Sequence, residues 1–418
     1  MSTASIHEIK LSEKNNKHWL DAVARKSLHK ILGYLKIGRL VLEEDGEILT
    51  FGQAAEDTDL IVYATVHNPA TYSDVLFNGT VGSGESYMLG YWTTPDLLKM
   101  IRLMVLNMQV IDAMDKPNSL LARVSSFAYW LLKNNSKDGS RKNIGAHYDL
   151  GNDFFNLFLD PQMMYSSAIY PTWRSSLNEA AEHKLKAVCE KLQLTAQDHL
   201  LEIGTGWGGM AIYAAKHYGC KVTTTTISRQ QYEHAKEWIE REGLQDNIEL
   251  LLQDYRDLNG KYDKLVSIEM IEAVGHRFYA TYFSKCSSLL RENGLMLIQA
   301  ITIPDQRYKQ AKNAVDFIQK YIFPGGCLPS HEVIAKNVAK QTNLQITHVE
   351  DITAHYARTL AEWRQRFSDR LDEVKAQGFN SVFIRMWEFY LCYCEGGFAE
   401  RVIGTAQFVF AKPQARFA

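Results

Sequence analysis

The stretch Leu200-Leu201-Glu202-Ile203-Gly204-Thr205-Gly206-Trp207-Gly208-Gly209 leads directly into the helix-like Met210 to Tyr218. A short apolar run, a cluster of glycines and a helical pattern read as strand, turn and helix. Glycines at such a turn let the backbone come close to a ligand at the carboxyl end of a parallel sheet. The spacing satisfies two templates. Gly204, Gly206 and Gly209 match the G-x-G-x-x-G of dinucleotide folds, whereas Glu202, Gly204, Gly206 and Gly208 match the acidic-x-G-x-G-x-G of S-adenosylmethionine methyltransferases. A dinucleotide site needs a carboxylate about 20 residues further on for the ribose. That zone is Thr223-Thr224-Thr225-Thr226, and the acidic group lies inside the motif at Glu202, where it suits an ammonium nearby. The methyltransferase template is favoured over the dehydrogenase one.

Working outward, strands are predicted at 199–203, 221–226, 248–252, 264–268, 295–301, 345–349 and 405–411, with helices between the first five. This alternation predicts an α/β fold, a Rossmann-like seven-stranded sheet of class I methyltransferase type. Helical insertions are expected at 305–342 and 359–401. The polar run Asn134 to Asn143 has linker composition and marks a boundary between residues 1–135 and 136–418. Before it, alternating segments at 40–43, 47–51 and 60–66 read as short strands, and Pro95 to Met114 as a helix. The first domain is therefore a small α+β unit.

Among 418 residues, 22% are charged and 46% apolar, enough to build a core and too apolar for global disorder. Lys+Arg 46 against Asp+Glu 48 leaves a net charge of −2, which disfavours a dedicated nucleic-acid binder. No run approaches the length of a membrane span, and Met1 to Lys10 lacks the apolar stretch of a secretory signal. Within residues 1–40, eight basic side chains face three acidic ones, and Trp19, Leu20, Val23, Leu28, Ile31, Leu32 and Leu35 recur at helical spacing. Such a helix either lies on an anionic membrane surface or packs its apolar stripe into the core. The second reading is the plainer. Six scattered cysteines without a secretion signal indicate free thiols in a reducing compartment. Cys392 and Cys394 form a lone C-x-C, so no metal site is expected.

Ser228 to Gln231 opens a helix as a capping box, with Ser228 at the N-cap and Gln231 at N3. The same residues, with Thr226, end the second strand of the sheet and face the ligand crevice. Asp254 and Tyr255, after the third strand, are placed to flank an adenine by a polar contact and by stacking.

The chain resembles the cyclopropane fatty acyl phospholipid synthases and their relatives, the mycolic acid methyltransferases, over essentially its whole length. The likeness is carried by Gly84 to Met88, Ala146 to Asp153, Met164 to Ala168, Gly204 to Gly209, Thr226 to Ser228 and Leu252 to Asp257. It continues through Glu272 to Gly275, Lys320 to Pro324 and Cys327 to Ser330. The resemblance implies transfer of a one-carbon unit from S-adenosylmethionine to the double bond of an unsaturated phospholipid acyl chain, giving a cyclopropane. It also implies a peripheral protein on the inner, cytoplasmic face of the membrane and a homodimer. Tyr148, Tyr165 and Ser166 fit the family's donor-binding segment, together with Glu202, Gly204, Thr205 and Gly206.

An alkene is a feeble nucleophile, so the donor sulfonium must be held close, dry and in line. Attack leaves a carbocation, which aromatic faces stabilise. A base then removes a proton to close the ring. In the family that base is thought to be a bound bicarbonate caged by side chains. The resemblance assigns the cage here to Glu272, Tyr356 and Cys394. Two positions depart from the pattern: Ser167 stands where a cysteine is common, and Gln299 where a histidine is common. An amide still donates to an anion but cannot relay a proton. A methyl- or methylene-branched product therefore stands as the alternative within enzymes. The alternative outside them is a non-catalytic lipid-binding relative.

Overall fold

The computed structural model describes residues 18–53, 60–108 and 150–416. The chain forms two compact units. The first takes described residues from within 1–127 together with Asp316–Ile322 and Trp363–Val402; the second takes the remainder. The long helical stretch expected as a second insertion of the methyltransferase domain thus belongs for the most part to the first unit. The linker run and Tyr148 lie outside the described residues.

In the first unit a four-stranded sheet has the order β2-β1-β3-β4, with β1 at Gly38–Glu44, β2 at Glu47–Gln53, β3 at Ile61–Val66 and β4 at Trp92–Thr93. Asp45 and Gly46, at φ 51° and 80°, make the tight connection between β1 and β2, where both central residues need a positive φ. Helix His18–Leu32 buries Ala24, Leu28 and Leu32, but Trp19 and Val23 point outward at 69% and 57% exposure. The apolar residues of this basic segment therefore serve two faces rather than one.

Helix Ala70–Met88, kinked at Gly79, holds the Gly84 to Met88 string. A Cβ on Gly84 would fall 2.3 Å from the Phe317 ring, so only glycine admits that ring. The carboxylate of Glu85 accepts from the Lys320 ammonium and from the Tyr321 hydroxyl. Two strings more than two hundred residues apart are thus joined by one buried acid. Helix Ser381–Ala399 packs with Leu97–Leu106 in the same unit.

The second unit is a seven-stranded sheet of order β10-β11-β9-β8-β5-β6-β7. Its strands are β5 His199–Ile203, β6 Lys221–Thr226, β7 Ile248–Leu252, β8 Tyr262–Ile268, β9 Leu290–Thr302, β10 Gln345–Asp351 and β11 Gly404–Ala411. All seven fall where the hydrophobic pattern places them. β11 runs antiparallel to β9 and β10, and the other pairs are parallel. The expected insertion at 305–342 is broken into helix Asp305–Ala311, a π-turn at Ile318–Ile322 and helix His331–Gln341.

Side chains alternate between the two faces. Leu201, Leu265, Met296, Ile298, Phe408 and Phe410 meet helices Tyr279–Leu289 and His331–Gln341 on one face. Leu200, Val266, Leu295, Leu297 and Val409 meet helices Leu177–Lys191 and Gly209–Tyr218 on the other. The same alternation sets Glu202, Gln299 and Gln407 on this second face, where apolar neighbours cannot satisfy them. Polar residues at core positions must find partners, and they do so at the carboxyl end of the sheet.

Candidate active site

The glycine turn leaves β5 with Gly204, Gly206 and Gly208 at φ 100°, 54° and 104°. Each glycine meets a different surrounding. A Cβ on Gly208 would press on Ala235 at 3.2 Å, and one on Gly209 would sit 2.5 Å from the Gln162 carbonyl. At Gly206 there is no atom within 4 Å, so this glycine faces open space. Trp207 donates its indole N–H to Asn152 at 2.7 Å and packs on Phe155 at 5.0 Å between centroids. The Leu150 to Asp153 segment is thereby fastened to the turn.

Beneath the turn, Glu202 is 3% exposed and accepts from the Thr224 hydroxyl at 2.6 Å, itself paired to the Thr205 hydroxyl at 2.7 Å. Burial pushes the Glu202 carboxyl up to about 8, with Thr224 and Lys184 opposing. A cationic ligand group nearby would favour its ionised form. Open space over Gly206 beside a buried acid fits the adenosyl donor, which brings both a sulfonium and an ammonium.

At the rim, Ser228 caps helix Arg229–Arg241 by accepting from the Gln231 N–H at 3.3 Å. The reciprocal half of the expected capping box is absent. The Gln231 amide oxygen accepts from the Thr226 hydroxyl at 2.9 Å instead, and that hydroxyl oxygen accepts the Ser228 N–H at 3.1 Å. Asp254 is tied into its own turn, bonded to the Arg256 guanidinium at 2.7 and 2.8 Å. Tyr255 packs edge-on against Tyr282 at 5.6 Å. Both side chains of this pair therefore have structural partners at the third strand's end.

The Met164 to Ala168 string crosses the end of the sheet as a strap. Tyr165 lies among aromatic rings, with Phe155 at 5.2 Å, Phe323 at 6.2 Å and Trp207 at 6.5 Å. Ser166 accepts from the ammonium of Lys184, a fully buried lysine, at 2.9 Å. Ser167 turns its hydroxyl back to the Ala168 carbonyl and offers its backbone N–H forward. The loss of a cysteine side chain here is mild for that reason.

What receives that N–H is Glu269, a residue that the sequence motifs do not single out. Its Oε1 accepts from Ser167 N–H at 2.9 Å and from Gln299 Nε2 at 2.8 Å; its Oε2 accepts from the Tyr356 hydroxyl at 2.7 Å. Glu269 follows β8 with φ 50°, a conformation uncommon for a residue with a side chain. Gln299 cannot flip, because its Oε1 accepts from Gln407 Nε2 at 2.9 Å across the β9–β11 register. Gln407 in turn accepts from Lys191. Four of the residues expected around an anion are thus in one cluster: Ser167, Gln299 and Tyr356 bonded to Glu269, and Glu272 one turn on. Cys394 lies in the first unit on helix Ser381–Ala399, its thiol pushed up by burial and by Asp316.

Glu272 has the poorer surroundings of the two acids. Its Oε1 accepts one backbone N–H, from Ile301, while its Oε2 is buried with no hydrogen-bond partner. Burial, and then the neighbouring Glu269 charge, push its carboxyl up to about 8. Glu269 is also raised by burial, but Gln299, Ser167, Tyr356 and Lys184 all pull it back. The two adjacent carboxyls have unequal donors: three hydrogen bonds favour the ionised form of Glu269, and Glu272, with one, holds its proton more readily. The Cys327 to Ser330 string supports this corner, with the Cys327 N–H donating to the Glu272 carbonyl at 2.8 Å.

Comparison with known proteins identifies the family. Residues 135–408 match the family model "Mycolic acid cyclopropane synthetase". The tuberculostearic acid methyltransferase UfaA1 of Mycobacterium tuberculosis is 38% identical over 343 residues, spanning 80% of this chain and 79% of that protein. The cyclopropane-fatty-acyl-phospholipid synthase of Escherichia coli K12 is 38% identical over 348 residues, spanning 83% and 87%. The mycolic acid cyclopropane synthase CmaA1, solved with SAH and CTAB, superposes with a TM-score of 0.61 at 30% identity, covering 65% of this chain and 98% of that one. The chain therefore belongs to the mycolic acid cyclopropane synthetase family, S-adenosylmethionine-dependent methyltransferases that act on lipid acyl chains.

Proposed function

We propose that the protein methylates the double bond of an unsaturated phospholipid acyl chain and closes the product to a cyclopropane. The observation that carries this reading is the Glu269, Gln299, Tyr356 and Ser167 cluster at the carboxyl end of the sheet that also bears the glycine turn. The donor supplies the electrophilic methyl group. Glu202 and the backbone at Gly204 to Gly206 hold it, and the Tyr165, Phe155 and Trp207 rings shield the reacting centre from water. Their faces favour the positive charge that attack leaves on the acyl chain. The acidic cluster then accepts the proton whose loss ends the reaction.

A lipid surface is supported by the outward face of helix His18–Leu32. Trp19, Val23, Lys26 and Lys30 are exposed at spacings of one helical face, and Tyr34 follows at 58% exposure. Apolar and basic side chains together suit the boundary of an anionic bilayer. Among the described residues no helix is long and apolar enough to cross a membrane.

A second reading, a methyl- or methylene-branched acyl chain, is favoured by the equal likeness to a protein named a tuberculostearic acid methyltransferase. Expression in a host with unsaturated phospholipids and no such enzyme separates the two. Mass spectrometry of the fatty acid methyl esters should show one added CH2, and proton NMR should show upfield ring protons. Olefinic methylene signals would mean the branched product, and unmodified lipids would defeat the acyl-chain reading.

A further inference from the structure

The cage expected for an external anion does not fit one. Its three donors, the Ser167 N–H, the Gln299 amide and the Tyr356 hydroxyl, already converge on both oxygens of Glu269. A carboxylate has the same planar O–C–O fork as bicarbonate, so it satisfies the same donors. A bicarbonate beside it would bring a second full negative charge into a buried corner that already holds Glu272, with no donor left for it among these three. The backbone tells the same story. Glu269 keeps a left-handed φ of 50° that a glycine would adopt freely, and this conformation is what turns the carboxylate into the cluster.

We propose that Glu269 is this protein's built-in base, a covalently attached carboxylate doing the work of a bound bicarbonate. The inference rests on the acyl-chain reading above and deepens it. In the step, the alkene pair has already bonded to the donor methyl, with the C–S pair leaving on sulfur, and the other alkene carbon is cationic. The Glu269 carboxylate takes a proton from the transferred methyl. The C–H electron pair forms the third ring bond and discharges the cation. Glu269, now neutral, loses its proton to solvent before the next turnover. Gln299 and Gln407 act as positioning residues: the second fixes the amide of the first, so that an N–H and not an oxygen faces the base. A histidine at 299 is not required when the base arrives already attached.

The departures at Ser167 and Gln299 thus have one cause. Neither position must handle a mobile anion: Ser167 needs only its backbone N–H, and Gln299 only its amide N–H, to hold a fixed carboxylate.

The test uses the full chain in carbonate-free buffer, comparing the parent with Glu269→Gly and Glu269→Gln. Parental turnover is expected to be indifferent to added bicarbonate. Glu269→Gly should lose about a hundredfold or more in turnover while binding the donor as before by calorimetry, and bicarbonate should restore much of it. Glu269→Gln should fall as far without rescue. In parallel, line broadening of 13C-labelled bicarbonate should be absent with the parent and present with Glu269→Gly. Glycine relieves the positive φ, so Glu269→Gly is expected to fold; if it does not, the parent's bicarbonate response and Glu269→Gln decide. A parent that binds bicarbonate and needs it for turnover overturns the proposal. So does a Glu269→Gly that keeps parental turnover without carbonate. If the parent makes no lipid product at all, the acyl-chain reading falls, and the bicarbonate NMR still decides whether Glu269 fills the anion site.

Discussion

The two ends of the proposed site are built in different ways. At the donor end, function is carried by backbone: a turn at Gly204 to Gly209 whose φ values and close approaches follow from ten consecutive residues. At the acid end, function is carried by side chains from the strap at Ser167, the end of β8 at Glu269, the middle of the sheet at Gln299 and helix Thr353–Asp369 at Tyr356. A backbone site is written locally and can be read locally. A side-chain site exists only once the fold brings distant residues together. Substitutions at the first end should act on donor binding, and those at the second on turnover.

The largest effect is expected at Gly206→Val. The valine would place a branched side chain in the open space of the turn at φ 54°, where residues with a Cβ are strained. Donor affinity by calorimetry should fall about a hundredfold or more, on the scale of ~3 kcal/mol. Unchanged affinity would remove the donor from this loop and with it the contrast between the two ends.

That contrast also explains what was legible beforehand. All seven strands of the large sheet were readable, because buried strands between turn residues leave a strong pattern. Glu202 and the glycines were readable because the motif is contiguous. Glu269 is not legible in the same way, because it lies outside the Glu272 to Gly275 string that carries the resemblance. Ser167 and Gln299 both depart from the family pattern, but neither departure points to the residue they meet. No local rule links residues 167, 269 and 299, so only the structure could show that they meet. The grouping of Trp363–Val402 with the first unit was equally hidden, because helix periodicity says which face is buried and not against what.

The next largest effect concerns Gln299→His. With Glu269 in place, the imidazole would break the bonds to Gln407 and to Glu269 without gaining an anion to hold. Turnover should fall about tenfold, and added bicarbonate should not restore it. In the double variant with Glu269→Gly, a bicarbonate response should appear. A response in the single variant would mean that the cluster still has room for an external base.

Gln407→Leu is a smaller disturbance, one step removed from the base. It frees the Gln299 Oε1, so the amide can flip and turn its oxygen toward Glu269. Turnover should drop a few-fold while donor affinity stays put, a split that general destabilisation would not produce. An equal loss of donor affinity would show that the two ends are not independent.

The smallest effect on chemistry is expected at Glu272→Gln, and it appears mainly in stability. The Glu272 carboxyl is held up near 8 by burial and by Glu269, so at neutral pH it is an acid for which glutamine is nearly isosteric. Turnover at pH 7 should fall no more than a few-fold. For the fold, the sign follows from linkage. Below about 4.5, the ordinary value for a glutamate, the folded and unfolded chains both carry the proton. Between there and about 8 the unfolded chain releases it while the folded chain retains it, so the native state loses stability as pH rises across this window. Above it the penalty is constant. Removing the titrating group removes that penalty, so the Tm difference between Glu272→Gln and the parent should grow in the variant's favour from pH 5 to pH 8, by a few degrees. A difference that is flat across this range would mean that Glu272 is ionised throughout. The assignment of acid to Glu272 and carboxylate to Glu269 would then have to be reversed or shared.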